Sequence, residues 1–335
     1  MFDLVKTICQ ITGSSTCQLG EVLQRLWSGY GVIQRVQLDS TEHSTAIVKH
    51  IDLSKDRENP RGWSGDISYQ RKVRSYQIEK TFYENYSVQC LADQTLTNCR
   101  VPKFLGAAEL ENGHGYLIVL EDLHAAGFRD DRSESTDQHD PKNTLQACLS
   151  WLASFHAIFL NCPATDLWPI GTYWQLATRQ EELQVMPDGQ LKRLAAKIDQ
   201  RLNAAKFQTL VHGDAKLANF LFGQSEVAAV DFQYVGHGCG MKDVAYLLSS
   251  CLDGSESASH SESLLDFYFQ RLESELSKSS AHISFAELET EWRALYPFAW
   301  ADFCRFLAGW SPGHWKLNDY NDRLTSEVLR ELEQS

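Results

Sequence analysis

The stretch LVHGDAKLANFLF (210–222) places three ionisable side chains and an amide between two apolar runs. Asp214 could accept the proton of a hydroxyl group, and Asn219 offers an amide oxygen five residues later. A second apolar run, EVAAVDF (226–232), leads to the carboxylate of Asp231. Mg2+ prefers a small number of hard oxygen donors, which makes Asn219 and Asp231 candidate Mg2+ ligands. Together these residues meet the needs of phosphoryl transfer from ATP to a hydroxyl, with Asp214 as the base.

Several predicted elements would position this chemistry. FLF (220–222) and EVAAVDF (226–232), joined through GQS, predict a hairpin that brings Asn219 and Asp231 to one end. Further upstream, GYGVIQRVQLD and TAIVKHIDL predict two strands, and Lys49 alternates onto one face of the second with apolar neighbours. The segment 75–87 predicts a helix that carries Glu79 beside its packing face.

The chain changes character after GYLIVLEDL (115–123), which predicts a further buried strand. We predict a charged loop at 52–63, a lobe junction near residues 121–123 and a mobile loop at 129–143. LQACLSWLASFHAIFL (145–160) predicts a buried helix, and the rest is mostly helical. A small strand-rich part followed by a larger helical part predicts an α+β fold with two lobes and a cleft between them.

HGDAKLAN and the later DFQ resemble the catalytic loop and metal-binding segment of the protein-kinase-like small-molecule phosphotransferases. The likeness is closest to the aminoglycoside phosphotransferase and choline kinase group and its ecdysteroid-kinase-like relatives, and it covers nearly the whole chain. It implies a bilobal protein-kinase-like fold. The lobe at 1–122 would be a small antiparallel-sheet, nucleotide-binding lobe, and the lobe at 123–335 would hold the catalytic and acceptor sites.

The resemblance also implies two cofactors, ATP and Mg2+, and a set of residues for ATP. These come in pairs: two glycines of a reduced glycine loop, a strand lysine for the phosphates with its helix glutamate, and two hinge positions whose backbone binds adenine. The residues are Gly29, Gly31, Lys49, Glu79, Glu121 and Leu123. In the same way Asp214 would be the catalytic base, Asn219 and Asp231 the Mg2+ ligands, and Asp243 a brace for the catalytic loop.

Departures from the family pattern narrow the interpretation. Gln34 occupies the third position of the glycine loop, and Gln233 replaces the glycine of D-F-G. The segment after Asp231 is too short for a long phosphorylatable loop, which favours a small-molecule kinase over a regulated protein kinase. Lys216, two residues after the base, is assigned a catalytic role in neutralising charge on the transferred phosphate.

The C-terminal segment gathers aromatic residues around a single carboxylate. Asp302, Trp310 and Trp315 are our candidate acceptor residues, since aromatic faces with a carboxylate suit a cation such as a choline-like alcohol. An aminoglycoside would need more carboxylates, so we expect a single-cation or largely apolar alcohol, choline-like or steroid-like. The identity of this alcohol, the oligomeric state and the pathway stay open.

The composition excludes some classes of partner. A formal net charge of −13 without a basic stripe argues against nucleic acid. The first thirty residues lack a leader pattern and no long apolar run follows, so we expect a cytoplasmic protein without membrane association. The main alternatives are an aminoglycoside-type phosphotransferase and a pseudokinase scaffold that binds nucleotide, which Gln34 and Gln233 keep open.

Overall fold

The computed structural model describes residues 3–26, 29–40, 42–53, 66–92, 98–110, 115–130, 141–224, 226–278 and 283–334. The chain forms two compact units, one of Met1–Ala92, Arg100–Asp131 and Leu221–Val230, the other of Asp93–Cys99, Arg132–Phe220 and Asp231–Ser335. The lobe boundary at 122/123 stays a prediction. Most of the predicted charged loop at 52–63 and of the mobile loop at 129–143 lies outside the described residues.

The first unit is built on a five-stranded antiparallel sheet with the order β1-β2-β3-β5-β4. Its strands are β1 (Cys17–Arg25), β2 (Gly31–Leu38), β3 (Thr45–Asp52), β4 (Phe104–Glu109) and β5 (Gly115–Glu121). β3 lies in the centre, where Lys49 pairs in register with Ile33 on one side and Ile118 on the other. Because both neighbours hold β3, the backbone position of Lys49 is fixed.

Helix α1 (Leu4–Thr12) covers one face of this sheet. The Asp3 side chain caps it by accepting a hydrogen bond from the Lys6 amide at 3.0 Å. Its Ile8 packs with a cluster of strand residues, namely Val36, Leu38, Ala46, Val48, Leu117 and Val119. The unit also contains α2 (Asp66–Asn85) and α3 (Ser87–Leu91).

The second unit is mainly helical. It contains α4 (Pro141–Ile158), α5 (Gln180–Val185), α6 (Gln190–Asn203), α7 (Met241–Cys251), α8 (Gly254–Leu276), α9 (Phe285–Trp310) and α10 (Asp319–Gln334). Helix α4 packs on α8, while α9 packs on α6, α7 and α10. Strands β6 (Thr209–Val211) and β9 (Gly236–Gly238) pair antiparallel, and β7 (Phe220–Phe222) pairs with β8 (Val227–Ala229). Across the described part of the chain, no helix combines the length and apolar character needed to cross a membrane.

The α+β fold class, with a small antiparallel sheet followed by a helical region, is confirmed. Strands β1 and β4 are additions to the prediction. Nearly all of β1 is exposed, so its side chains carry no apolar alternation, and β4 contains Gly106 at an irregularity in its pairing. The second hairpin strand is shorter than predicted, since β8 ends two residues before Asp231.

We expect replacement of Gly31 by alanine to destabilise the sheet more than the same change at Gly29. A Cβ at Gly31 would meet the His50 carbonyl oxygen at 1.9 Å and the residue has φ +151, whereas Gly29 has φ +74 and nothing within 4 Å. Gly31→Ala should lower the free energy of unfolding by about 3 kcal/mol or more, and Gly29→Ala by about 1 to 2 kcal/mol. Urea unfolding of both variants measures this, and equal losses would contradict it.

Candidate active site

Two consecutive backbone amides at the start of the predicted catalytic loop are held by one carboxylate. Asp243, in the first turn of α7, accepts from the His212 amide at 2.6 Å and from the Gly213 amide at 2.9 Å. The His156 ring reaches the same carboxylate, with Nε2 at 3.2 Å from Oδ2. Asp243 is completely buried. The bracing contact expected for Asp243 is therefore confirmed.

Gly213 allows the loop to turn against its neighbours. Its φ is +80, and a Cβ there would meet the Tyr234 carbonyl oxygen at 2.2 Å. The Gly213 carbonyl accepts from the Tyr173 amide at 3.1 Å, and the Thr172 amide donates to the Tyr234 carbonyl at 3.1 Å. Only glycine fits this turn, which directs the next residue, Asp214, away from the brace.

The Asp214 carboxylate is buried and fixed in orientation. Its Oδ2 accepts from Lys216 Nζ at 3.1 Å and from Asn219 Nδ2 at 3.1 Å. Burial raises the pKa of Asp214; the Lys216 cation works against this rise, while the nearby Asp231 charge adds to it. Asp214 is therefore a carboxylate with a raised proton affinity, as a general base requires.

Lys216 is ion-paired with Asp214 and its side chain is 38% exposed. Burial disfavours its cation, but the Asp214 and Asp231 carboxylates outweigh this and raise the pKa of Lys216. The side chain is thus a cation beside the candidate base. Its contact with a transferred phosphate stays a prediction.

Asn219 and Asp231 each offer an oxygen donor that could bind Mg2+. The Asn219 Nδ2 donates to both the Asp214 carbonyl, at 2.8 Å, and its carboxylate, so Oδ1 is the atom left for a cation. Asp231 has φ +70, a strained value for this residue type, and its Oδ1 accepts from Gln233 Nε2 at 2.6 Å. The described residues contain no group of three or more His, Cys, Asp or Glu side chains that would hold a metal alone. One amide and one carboxylate fit a Mg2+ that takes its other ligands from phosphate and water.

In the first unit, Lys49 and Glu79 form a buried ion pair. Lys49 Nζ lies 2.6 Å from Glu79 Oε2, and the two side chains are 4% and 3% exposed. The ammonium also lies 5.7 Å from the centre of the Tyr76 ring. The resemblance predicted that these two side chains are partners, and the contact agrees with this. Their role in binding phosphate stays a prediction.

The remaining ATP-binding candidates lie at two turns of the first unit. The absence of a side chain at Gly31 is explained by its close approach to β3, and Gly29 lies in the left-handed turn before β2. The Glu121 carboxylate pairs with Arg100 at 2.6 Å, which leaves only its backbone for a ligand. The Leu123 amide has no acceptor within the described residues, as a hinge amide for adenine would require.

The three acceptor candidates of the C-terminal segment differ in burial and in their contacts. Asp302 is 0% exposed, and its carboxylate accepts from Arg305 at 2.8 Å and from Trp174 Nε1 at 3.1 Å. Asp302 is therefore held in an internal ion pair and is not accessible from solvent. Trp310 stacks on Phe306 with ring centres 5.6 Å apart, and Trp315 is 57% exposed.

Sequence reasoning missed two side chains near Asp214. The Tyr246 hydroxyl interacts with Asp214 and with Tyr173, a residue that the sequence placed on the same wall. Lys316 lies close enough for the charges of Asp214 and Lys216 to act on it. The signal for Tyr246 was its position one helical turn after Asp243. Lys316 gave no signal, because its neighbours come from distant parts of the chain.

Comparisons with known proteins give a family and a fold. The sequence profile described as the phosphotransferase enzyme family matches residues 34–277. No curated protein matches the chain. Among solved structures, a candidate aminoglycoside phosphotransferase from Ralstonia eutropha JMP134 has a TM-score of 0.54 at 13% identity, covering 98% of this chain and 94% of that one. An amicoumacin kinase in complex with AMP-PNP, Ca2+ and Ami has a TM-score of 0.53 at 14% identity, covering 95% and 88%.

We expect Asp302 to act on stability and not on acceptor choice. Asp302→Asn leaves the Arg305 guanidinium buried without its counter-charge and should lower the free energy of unfolding by about 3 to 5 kcal/mol. The double variant Asp302→Leu with Arg305→Met removes both charges and should recover most of this loss. Urea unfolding and acceptor KM are the measurements. A stable Asp302→Asn protein with an altered acceptor KM would contradict this assignment.

Proposed function

The chain belongs to the phosphotransferase enzyme family, and we propose on that premise that it is an ATP- and Mg2+-dependent kinase acting on a hydroxyl of a small organic molecule. The observation that carries the proposal is the Asp214 carboxylate, which a braced loop presents with its Oδ2 bonded to Lys216 and Asn219. A fixed, buried carboxylate with a raised pKa is suited to accept a proton from an alcohol. An alcohol acceptor loses its proton as the phosphate ester forms, and such a base can take it up.

Asp214 would orient the acceptor hydroxyl and receive its proton as the new phosphate ester bond forms. Lys216 would neutralise negative charge on the transferred phosphate. Because Asp214 already holds the ammonium in place, the side chain would not have to reorganise during the reaction. Both groups lie within a few residues of His212 and Gly213, whose amides Asp243 holds. Any movement of that loop would therefore displace the base and the cation together.

Nucleotide binding would use the first unit. The Lys49 ammonium, held by Glu79, suits the phosphates, and the Leu123 amide suits the adenine ring. Asn219 Oδ1 and the Asp231 carboxylate would hold Mg2+, which when bound supplies positive charge to the phosphates. The similar amicoumacin kinase structure contains AMP-PNP and Ca2+, which supports a nucleotide and a divalent cation here. A cytoplasmic location is part of the same proposal.

A second candidate, nucleotide binding without turnover, is favoured by one contact. The Gln233 amide occupies an oxygen of Asp231 at 2.6 Å, where the family pattern has a glycine. A pseudokinase scaffold would keep this bond. In a kinase, Gln233 instead would orient the carboxylate and yield that oxygen to the cation.

We expect Asp214→Asn to abolish transfer while leaving nucleotide affinity nearly intact. The amide keeps the size of the carboxylate but cannot accept the proton, so turnover should fall at least ~10²-fold. ADP release in a panel of alcohols measures turnover, and calorimetry with AMP-PNP and Mg2+ measures binding. Asp188→Asn, at a fully exposed aspartate, is the matched control and should behave as the parent protein. Equal turnover in Asp214→Asn would overturn the assigned role.

Asp231→Asn should weaken nucleotide binding only when Mg2+ is present. Loss of a direct carboxylate ligand is expected to raise the Kd for AMP-PNP by roughly 10- to 100-fold in Mg2+ and to leave it unchanged in EDTA. Calorimetry under both conditions is the measurement. An unchanged Kd in Mg2+ would remove Asp231 from the metal site and favour the scaffold.

A further inference from the structure

Aromatic residues border Asp214 on the side of α7. The Tyr246 hydroxyl interacts with Asp214, and its ring lies 5.5 Å from that of Tyr173. Burial and the Asp214 charge raise the pKa of both tyrosines, so each remains a neutral hydroxyl. An acceptor hydroxyl in contact with Asp214 must therefore lie near these two rings.

The rings continue along α9. Tyr173 packs edge-on against Phe306 at 5.4 Å, and Phe306 stacks on Trp310 at 5.6 Å with an angle of 20°. We call Tyr173, Tyr246, Phe306 and Trp310 the aromatic wall. All of it belongs to the second unit, as does Asp214. Tyr246 and Phe306 are buried and support the wall from behind, while Tyr173 and Trp310 are partly exposed and are the rings that a flat apolar body could contact.

A lysine without a counter-charge lies on this wall. Lys316 Nζ is 4.9 Å from the centre of the Tyr246 ring, 5.5 Å from that of Phe303 and 3.5 Å from Ser249 Oγ. Within the described part of the chain, no carboxylate lies within ion-pairing distance of it. Burial lowers the pKa of Lys316 to about 8, against the pull of Asp214, so the ammonium is still mostly charged at pH 7.

The other charges near the wall are already neutralised in pairs. Arg179 stacks over Tyr173 and Phe306, and it is paired with Glu182 at 2.8 Å. Asp302 is paired with Arg305 at 2.8 Å. Neither carboxylate is therefore left to hold an ammonium group of an acceptor. Lys216 is paired with Asp214 itself, so the cation beside Asp214 that has no carboxylate partner among the described residues is Lys316.

We propose that the acceptor is an anionic alcohol: a hydroxyl compound with a flat apolar body and a carboxylate or similar anion, which Lys316 binds while the aromatic wall contacts the body. This deepens the proposed function and rests on it for the transfer step. In that step the acceptor oxygen bonds to the γ-phosphorus, the bond to the ADP oxygen breaks, and the hydroxyl proton passes to Asp214. The products are ADP and a phosphate monoester.

This inference departs from the choline-like acceptor expected from the sequence. A quaternary ammonium would gain from the aromatic faces but would face the like charge of Lys316, while the Asp214 carboxylate is already paired with Lys216. An anion gains from Lys316. The charge arrangement therefore reverses the preference for a cation that the aromatic residues and the Asp302 carboxylate suggested from the sequence.

The test uses aryl alcohols matched in ring and hydroxyl but differing in charge. One set is 4-(hydroxymethyl)benzoate, benzyl alcohol and 4-(hydroxymethyl)benzyltrimethylammonium, and homologous sets vary the ring-to-hydroxyl length. Transfer is measured as ADP release, and binding as the change in Tm of the protein loaded with AMP-PNP and Mg2+. Lys316→Met and Lys316→Glu are the variants. Lys278→Met, at an exposed lysine, is the control and should match the parent protein.

We expect the anionic member to bind and react at least ~10-fold better than the ammonium member. Lys316→Met should remove this preference and Lys316→Glu should invert it, a result that a purely structural lysine would not give. Lys316→Met should also raise the Tm of the free protein at pH 7, because burial penalises the ammonium, and this shows that the variant folds. A preference for ammonium compounds, or a charge preference unchanged by either variant, would overturn the proposal.

Failure of the kinase function is distinguishable from failure of this inference. If anions raise the Tm in a Lys316-dependent way but no ADP is released, the result supports an anionic ligand and contradicts the phosphate transfer. If ADP is released with neutral or ammonium alcohols while anions have no advantage, the result supports the kinase activity and contradicts the anionic acceptor. If no compound in any set changes the Tm, the acceptor class also falls.

Discussion

One buried carboxylate determines the geometry on which the proposed chemistry depends. Asp243 holds the His212 and Gly213 amides and also contacts His156, so the start of the catalytic loop is tied to both α7 and α4. A buried carboxylate with three hydrogen-bonding partners is costly to disturb. From this fixed start, the glycine turn directs Asp214 to a single position.

The charges around this loop divide into two kinds. Some are closed pairs that serve the fold, such as Asp302 with Arg305. Others are left to act on a ligand, and Lys316 is the clearest of these in the described part of the chain. Burying an ammonium against aromatic rings costs stability, and functional sites are where such costs are retained. By the same reasoning, Asp302 belongs to a structural pair, and Lys316 is the better candidate for contact with the acceptor.

The sequence predicted the site best where its chemistry is local. Asp214 and Asn219 lie in one loop, so their spacing alone indicated their proximity, which their hydrogen bond confirms. Strand β1 was missed because an exposed edge strand carries no apolar alternation. Lys316 was missed because its contacts with α7 and α9 depend on tertiary packing. Asp302 was predicted to contact the acceptor, and its i,i+3 spacing from Arg305, which allows the internal ion pair seen in the structure, was overlooked.

The most direct measurement follows the γ-phosphate of ATP. The protein is incubated with Mg2+, γ-labelled ATP and a low-molecular-mass extract rich in hydroxy acids, and the label is traced by separation and mass. The account predicts that it appears in an acid-stable phosphate monoester of a small anionic alcohol, and that Asp214→Asn prevents this. Label found only in inorganic phosphate, or only on protein, would contradict it.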